Sequence, residues 1–282
     1  MLNKNTETFI GCDRSYAEAD FVLFGAPFDS TTSYRPGARF ASKSMRAESY
    51  GIETYSPYQD KDLEQTRVFD GGDLELSIGD TKAALNQIES YVKRLLQDKK
   101  RPVMIGGEHL VTLPAVRAVS EYHPEMHVIH FDAHADLRDE YLGVKLSHAT
   151  VMRRVWDLLG DGRIYQYGIR SGDKSEFLWG NERVYTQKFS FDGINRTIEK
   201  LKGKPVYFTL DLDVLDPSVL PGTGTPEAGG VSFNELLEAV KLLAQLNIAG
   251  FDIVELAPNY DHGGASVAVA CKLLREIILA FS

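Results

Sequence analysis

The chain has 282 residues, 43% of them hydrophobic and 25% charged, with a net charge of −9, a balance that disfavours a nucleic-acid backbone as partner and suits a small cationic molecule. No apolar run approaches the length of a membrane span, and the polar opening Met1-Leu-Asn-Lys-Asn-Thr-Glu lacks the apolar core of a signal peptide, so no membrane association and a cytoplasmic location are expected. Only two cysteines are present, Cys12 and Cys271, neither in a Cys-x-x-Cys pair, which argues against a disulfide framework and a thiolate metal site.

Phe21-Val-Leu-Phe-Gly25 is a short apolar run closed by glycine, as expected of a strand buried on both faces of a parallel sheet. The turn-rich loop from Ala26 to Phe40, which includes Tyr34, Arg35, Gly37 and Arg39, lies where such sheets keep their ligand sites; a plain surface loop is the alternative. Arg67–Asp73 reads as a second strand, and Ala84, Leu85, Ile88, Tyr91, Val92, Leu95 and Leu96 recur at helical spacing, which predicts an amphipathic helix from about Thr81 to Lys99. Pro102-Val-Met-Ile-Gly-Gly-Glu-His109 is the third strand and sets an imidazole where the backbone turns, although a lone His109 could simply cap the next helix.

In the fourth strand, His127-Val-Ile-His-Phe-Asp132-Ala-His134-Ala-Asp136, β formers lead into Asp132, His134 and Asp136, whose two-residue spacing would project them from one face. A solvated strand end with accidental polar residues is the competing reading. The loop Leu137–Ser147 leads to His148 and an Arg-rich helix from about Ala149 to Leu159. Arg163–Arg170 and Arg183–Thr186 read as strands with little chemistry. Pro205-Val-Tyr-Phe-Thr-Leu-Asp211-Leu-Asp213 repeats the fourth strand's design, and the Pro- and Gly-rich stretch after it, to Gly230, is a long loop. Ser232 and Glu235 form a capping box for the next helix, Ala249–Leu256 is the last strand and carries Glu255, and a helix bearing Val267, Leu273, Leu274, Ile277 and Ile278 closes the chain.

This alternation predicts an α/β fold: a three-layer α/β/α arrangement in one domain, residues 1–282, with a mainly parallel sheet of about eight strands and helices on both faces. The ends of parallel strands converge on one edge, so His109, Asp132, His134, Asp136, His148, Asp211, Asp213 and Glu255 can meet in one cleft. Carboxylates gathered there would repel one another without cations, and four carboxylates with two imidazoles make up about the ligand set of a two-metal hydrolase. The oxygen-rich set favours Mn²⁺ over Zn²⁺, with Co²⁺ or Ni²⁺ able to substitute in vitro.

Gly106-Gly-Glu-His109, Asp132-Ala-His-Ala-Asp136, and Thr209-Leu-Asp-Leu-Asp213 followed by Pro217, Pro221-Gly222 and Gly230 resemble the motifs of the ureohydrolase family of arginases and agmatinases, in the same order, over the chain from about Phe21 to its C-terminus. The resemblance implies an arginase-like fold and two Mn²⁺ per subunit: His109 and Asp136 would hold one ion, His134 and Asp213 the other, and Asp132 and Asp211 would bridge them. It implies a bridging hydroxide as nucleophile, Glu255 as the partner of the substrate guanidinium, and His148 as a mobile proton shuttle assisted by Asp136. It also implies trimers or hexamers, for which Arg153 and Arg154 could serve an interface, though ordinary solvation explains them equally well.

Arginases read the amino-acid end of their substrate through an Asn- and Ser-bearing loop after the Asp-x-His-x-Asp motif. The loop Leu137–Leu146 departs from that pattern and is similar to agmatinases. Asp139 and Glu140 would attract the distal ammonium of agmatine, or be solvated loop charge; a guanidino acid would want Arg138 or Arg35 at its carboxylate. Agmatine is therefore the expected substrate, with guanidinobutyrate and arginine as runners-up. Two further readings are weaker. A metallophosphoesterase carries its Asp-x-His element before its Gly-Asn-His element, the reverse of the order here, and a family member that had lost catalysis would lack ligands that this chain retains.

Overall fold

The computed structural model describes residues 7–282; the opening Met1–Thr6, on which the reading of the N-terminus rests, lies outside them. In chain order the strands are β1 (Phe21–Gly25), β2 (Tyr55–Ser56), β3 (Lys61–Asp62), β4 (Val68–Asp73), β5 (Arg101–Ile105), β6 (His127–Phe131), β7 (Ile164–Ile169), β8 (Tyr185–Lys188), β9 (Pro205–Asp211) and β10 (Asn247–Val254). The helices are α1 (Ala41–Glu48), α2 (Thr81–Gln97), α3 (Thr112–Tyr122), α4 (Val151–Leu159), α5 (Lys174–Gly180), α6 (Ile194–Leu201), α7 (Phe233–Leu243) and α8 (Ala265–Phe281). Among these described residues no helix is long and apolar enough to cross a membrane.

Eight strands form one parallel sheet in the order β4-β1-β5-β10-β9-β6-β7-β8, and β2 and β3 make a separate antiparallel hairpin. Because every central strand is covered on both sides, its residues are apolar on both sides. Leu23, Val103, Ile129 and Phe208 pack toward the layer of α1, α6, α7 and α8, whereas Val22, Phe24, Met104, Val128 and Tyr207 pack toward α2, α3 and α4. Burial of each large apolar side chain there stabilises the fold by about 1.5–3 kcal/mol. The helix ends follow the local sequence: Asp80 caps α2 by accepting from the Ala83 amide, and Ser232 and Glu235 form the expected capping box on α7. Cys12 and Cys271 are buried and free.

The chain lays β6 down away from β5 and later returns β9 and β10 between them. The four central strands, β5-β10-β9-β6, thus meet at the point where the winding reverses, which is where open parallel sheets form their clefts. Their register is level: Ile105 pairs with Ile253, Ile253 with Leu210, and Leu210 with Phe131. Asp132 and Asp211 are the next residues after this row.

Candidate metal centre

Close packing at the end of β5 depends on two glycines. A Cβ on Gly107 would lie 1.8 Å from the Phe28 carbonyl oxygen, and one on Gly106 would lie 2.6 Å from a Val254 methyl. With only hydrogens there, the Gly107 carbonyl accepts from the Glu255 amide (2.9 Å). The Glu255 carboxylate in turn accepts from the His109 amide (2.7 Å). The strand ends are thereby tied across β5 and β10.

His109 is buried. Its Nδ1 lies 3.1 Å from Asp132 Oδ2, 3.2 Å from Asp211 Oδ2 and 3.4 Å from Asp136 Oδ2. Its Nε2 is 3.0 Å from Thr209 Oγ1, and that hydroxyl is 2.6 Å from Asp252 Oδ1. A carboxylate only accepts, so the hydroxyl proton points at Asp252 and Thr209 accepts from Nε2–H. In the neutral imidazole, the form that binds a cation, the lone pair of His109 is therefore on Nδ1, which is buried, has no hydrogen-bond partner and faces three carboxylates. That is the arrangement a metal-ligating imidazole needs.

A second cluster adjoins the first. His134 Nδ1 is 2.9 Å from Asp213 Oδ2 and 3.5 Å from Asp132 Oδ1. Asp132 thus turns one oxygen to His109 and the other to His134. Potential ligand atoms of His109, His130, Asp132 and Asp136 lie within 4.8 Å of one another, as do those of Asp132, His134 and Asp213. The structure brings together all six residues expected to bind metal, but not by strand alternation. β6 ends at Phe131, and Asp132, His134 and Asp136 occupy an irregular segment in which Asp132 accepts from the His134 amide (2.5 Å), His134 bridges to Ser171 and Asp136 takes a left-handed φ of 54°. Glu255 is likewise left-handed, at 66°. Non-glycine residues held in that region cost about 1–3 kcal/mol and concentrate at functional sites.

The electrostatics show a site short of positive charge. Burial and then repulsion from Asp132 push Asp136 up to about 7. Burial, Asp213 and Asp132 likewise raise Asp211 well above the carboxylate range, and burial and Glu108 do the same to Glu255. Burial opposes charge on His109 and His134, yet the surrounding carboxylates outweigh it and raise both. Crowded acids that hold protons and imidazoles that gain them are the response of a hard oxygen-rich pocket to a deficit that divalent cations would fill, so the residues fit metal ions.

Beneath the ligands runs a polar row that sequence reading missed. Register places Gln166 on β7 beside His130 on β6, His130 beside Thr209 on β9, and Thr209 beside Asp252 on β10. Gln166 Nε2 donates to His130 Nδ1 (3.0 Å), so His130 Nε2–H donates to Asp132 (2.7 Å). Asp252 accepts from Thr112, Tyr207 and Thr209. Of these, only His130 could have been found from sequence, since it stands two residues before Asp132. The Arg163–Arg170 strand, read as showing little chemistry and a structural role, contributes Gln166 to this row, and Arg170 just past its end donates to the carbonyls of Asp213, Val214 and Glu227 and holds the long loop after β9.

Above the clusters lies a cavity of about 160 Å³, floored by His134, Asp136, Asp211 and Glu255 and walled by Ser33, Arg138, Tyr141, His148 and Glu176. The loop after β1 is therefore part of the site. Burial pushes the His148 imidazole down to about 4. Asp139 and Glu140 are exposed and do not line the cavity; Asp139 pairs with Arg154 at 2.7 Å. Arg138 lines it but is paired with Asp173 and with Glu176 (3.5 Å). Arg35 is held by the carbonyls of Thr223 and Gly224 and stacks 4.4 Å from the Tyr260 ring.

A model of the Arginase family matches residues 19–280. The agmatinase of Bacillus anthracis is 45% identical over 280 residues, covering 98% of this chain and 96% of that protein. The crystal structure of the agmatine ureohydrolase of Thermoplasma volcanium superposes with a TM-score of 0.90 at 36% identity, covering 99% of this chain and 95% of that one. Proclavaminate amidinohydrolase of Streptomyces clavuligerus is 36% identical over 278 residues, covering 93% of this chain and 88% of that protein.

Proposed function

The chain belongs to the arginase family, and on that premise we propose that it hydrolyses the guanidinium group of agmatine to urea and putrescine. The observation that carries this reading is a buried carboxylate, Glu255, in one cavity with the acid-rich clusters, in a chain alike over nearly its whole length to an agmatinase. We assign His109 and Asp136 to one Mn²⁺, His134 and Asp213 to a second, and Asp132 and Asp211 to both, with Co²⁺ or Ni²⁺ as substitutes in vitro. When bound, such cations supply the charge that lets water ionise near neutral pH.

A guanidinium stays protonated at any physiological pH. Burial and Glu108 raise Glu255, and a substrate cation would offset both. Pairing with Glu255 would restore the carboxylate and hold the guanidinium's central carbon over the floor of the cavity, which is catalysis by positioning and electrostatics. His148, on the cavity wall, would carry the proton that the leaving amine needs, with Asp136 assisting. The role belongs to one domain, residues 1–282, acting in the cytoplasm in polyamine biosynthesis as a homotrimer or homohexamer.

A second reading, hydrolysis of guanidinobutyrate or arginine, is favoured by one observation: Arg138 lines the cavity and would face a substrate carboxylate if Asp173 released it. Urea release from agmatine, guanidinobutyrate and arginine after Mn²⁺ loading separates the two. Turnover of agmatine well above the others is expected, and turnover of arginine alone overturns the assignment.

A further inference from the structure

We propose that Glu108 is a positioning residue which, through Thr31, fixes the orientation and tautomer of His148. The inference rests on the proton-carrying role given to His148 above. Glu108 is fully buried beside the site, between Gly107 and His109. Its carboxylate reaches the loop after β1. There it accepts from the Thr31 amide (2.8 Å), the Thr31 hydroxyl and the Thr32 hydroxyl (3.2 Å). The Glu108 amide donates to the Phe28 carbonyl (2.7 Å), so the loop is pinned twice at this residue.

Thr31 passes that constraint on. Because its hydroxyl proton is directed at Glu108, the oxygen is free to accept from the His148 amide (3.2 Å). The Thr31 carbonyl lies 3.0 Å from His148 Nδ1. A carbonyl only accepts, so neutral His148 carries its proton on Nδ1 and presents the Nε2 lone pair toward Ser33 Oγ, 3.2 Å away. Thr31 thus contacts both the backbone and the ring of His148, with Ser147 Oγ as a longer neighbour of Nδ1 at 3.3 Å, and its own orientation is set by one carboxylate. The segment just before His148 has its own anchor at Thr150, whose hydroxyl accepts from the Ser147 amide (3.1 Å) and donates to the Lys145 carbonyl (2.8 Å), but neither bond reaches the imidazole.

The test uses full-length Glu108→Gln and Thr31→Val. The first exchange turns an amide donor toward the donors of the loop, and the second removes the hydroxyl that bridges to the His148 amide. With Mn²⁺-loaded protein and agmatine, both variants are expected to lower kcat by about 10- to 100-fold, a share of what a positioned acid–base group contributes, with KM within about twofold and Mn²⁺ content unchanged. Ring ¹⁵N NMR of His148 in the metal-free variants is expected to show a mixture of tautomers in place of the Nδ1–H form. Wild-type kcat, or an Nδ1–H ring in both variants, would overturn the proposal, as would a kcat loss that tracks lost Mn²⁺. If the wild-type protein released no urea, the functional assignment would fall and the NMR result alone would decide whether Glu108 sets the ring.

Discussion

Replacing Thr209 by valine keeps the volume of the side chain and removes the one acceptor available to His109 Nε2–H at 3.0 Å. Loss of such an outer partner costs about 10- to 100-fold in metal affinity, or about 1.4–2.8 kcal/mol. The metal-free protein has an escape. Asp252 keeps two of its three donors, Thr112 and Tyr207, and the unsupported imidazole can give up its Nε2 proton and keep one on Nδ1, where carboxylate oxygens wait at 3.1–3.4 Å. Binding a cation at Nδ1 forbids that escape and leaves a buried Nε2–H unpaired, at about 1–3 kcal/mol. The penalty therefore falls on the metal-bound state. Chelator-competition titration with Mn²⁺ should give Thr209→Val a dissociation constant at least about 10-fold weaker than wild type, with Thr209→Ser close to wild type and the metal-free melting temperatures similar. A valine variant that binds Mn²⁺ as tightly as wild type would refute the reasoning.

Three further outcomes are expected. Asp132→Asn should lose bound metal and reduce urea release by more than about 100-fold, the upper end for an outer partner, while elemental analysis shows under-loading; a fully loaded, active variant would contradict the assignment of Asp132 to both ions. Arg46→Met strands the buried Asp70, which the guanidinium contacts at 2.8 Å, and should lower stability by about 3–5 kcal/mol in denaturant titrations; a variant as stable as wild type would show that the pair is dispensable. Burial, with Arg163 and Lys204 nearby, pushes His127 down to about 4. Between pH 6.5 and 4 the unfolded chain binds a proton that the folded one refuses, so stability falls on acidification through that window, by on the order of 2–3 kcal/mol in all. His127→Phe should flatten the melting-temperature profile there, and parallel profiles would count against it.

The ligand motifs were legible because each pairs an apolar β-forming run with acids or imidazoles at its end, and a parallel sheet brings such ends together. The stretches His127–Asp136 and Pro205–Asp213 read as strands for that reason, and the structure keeps their apolar parts, His127–Phe131 and Pro205–Asp211, as β6 and β9. The row Gln166–His130–Thr209–Asp252 did not, because its members become neighbours only through a strand order that returns β9 and β10 between β5 and β6. α1, α5 and α6 also escaped the reading: each is eight residues or fewer, too short for helical periodicity to declare itself. Asp139 and Glu140 looked suited to a substrate cation by charge alone, but Asp139 is turned outward to Arg154, and the cavity wall is built instead from residues of several separate loops.

The left-handed backbone at Asp136 and Glu255 has a consequence for evolution in the laboratory. Glycine at either position would relax the main chain by about 1 kcal/mol or more and erase a carboxylate that the proposed chemistry requires. A library screened only for heat tolerance would therefore drift toward glycine at these two sites, and the sturdiest clones recovered would be inert.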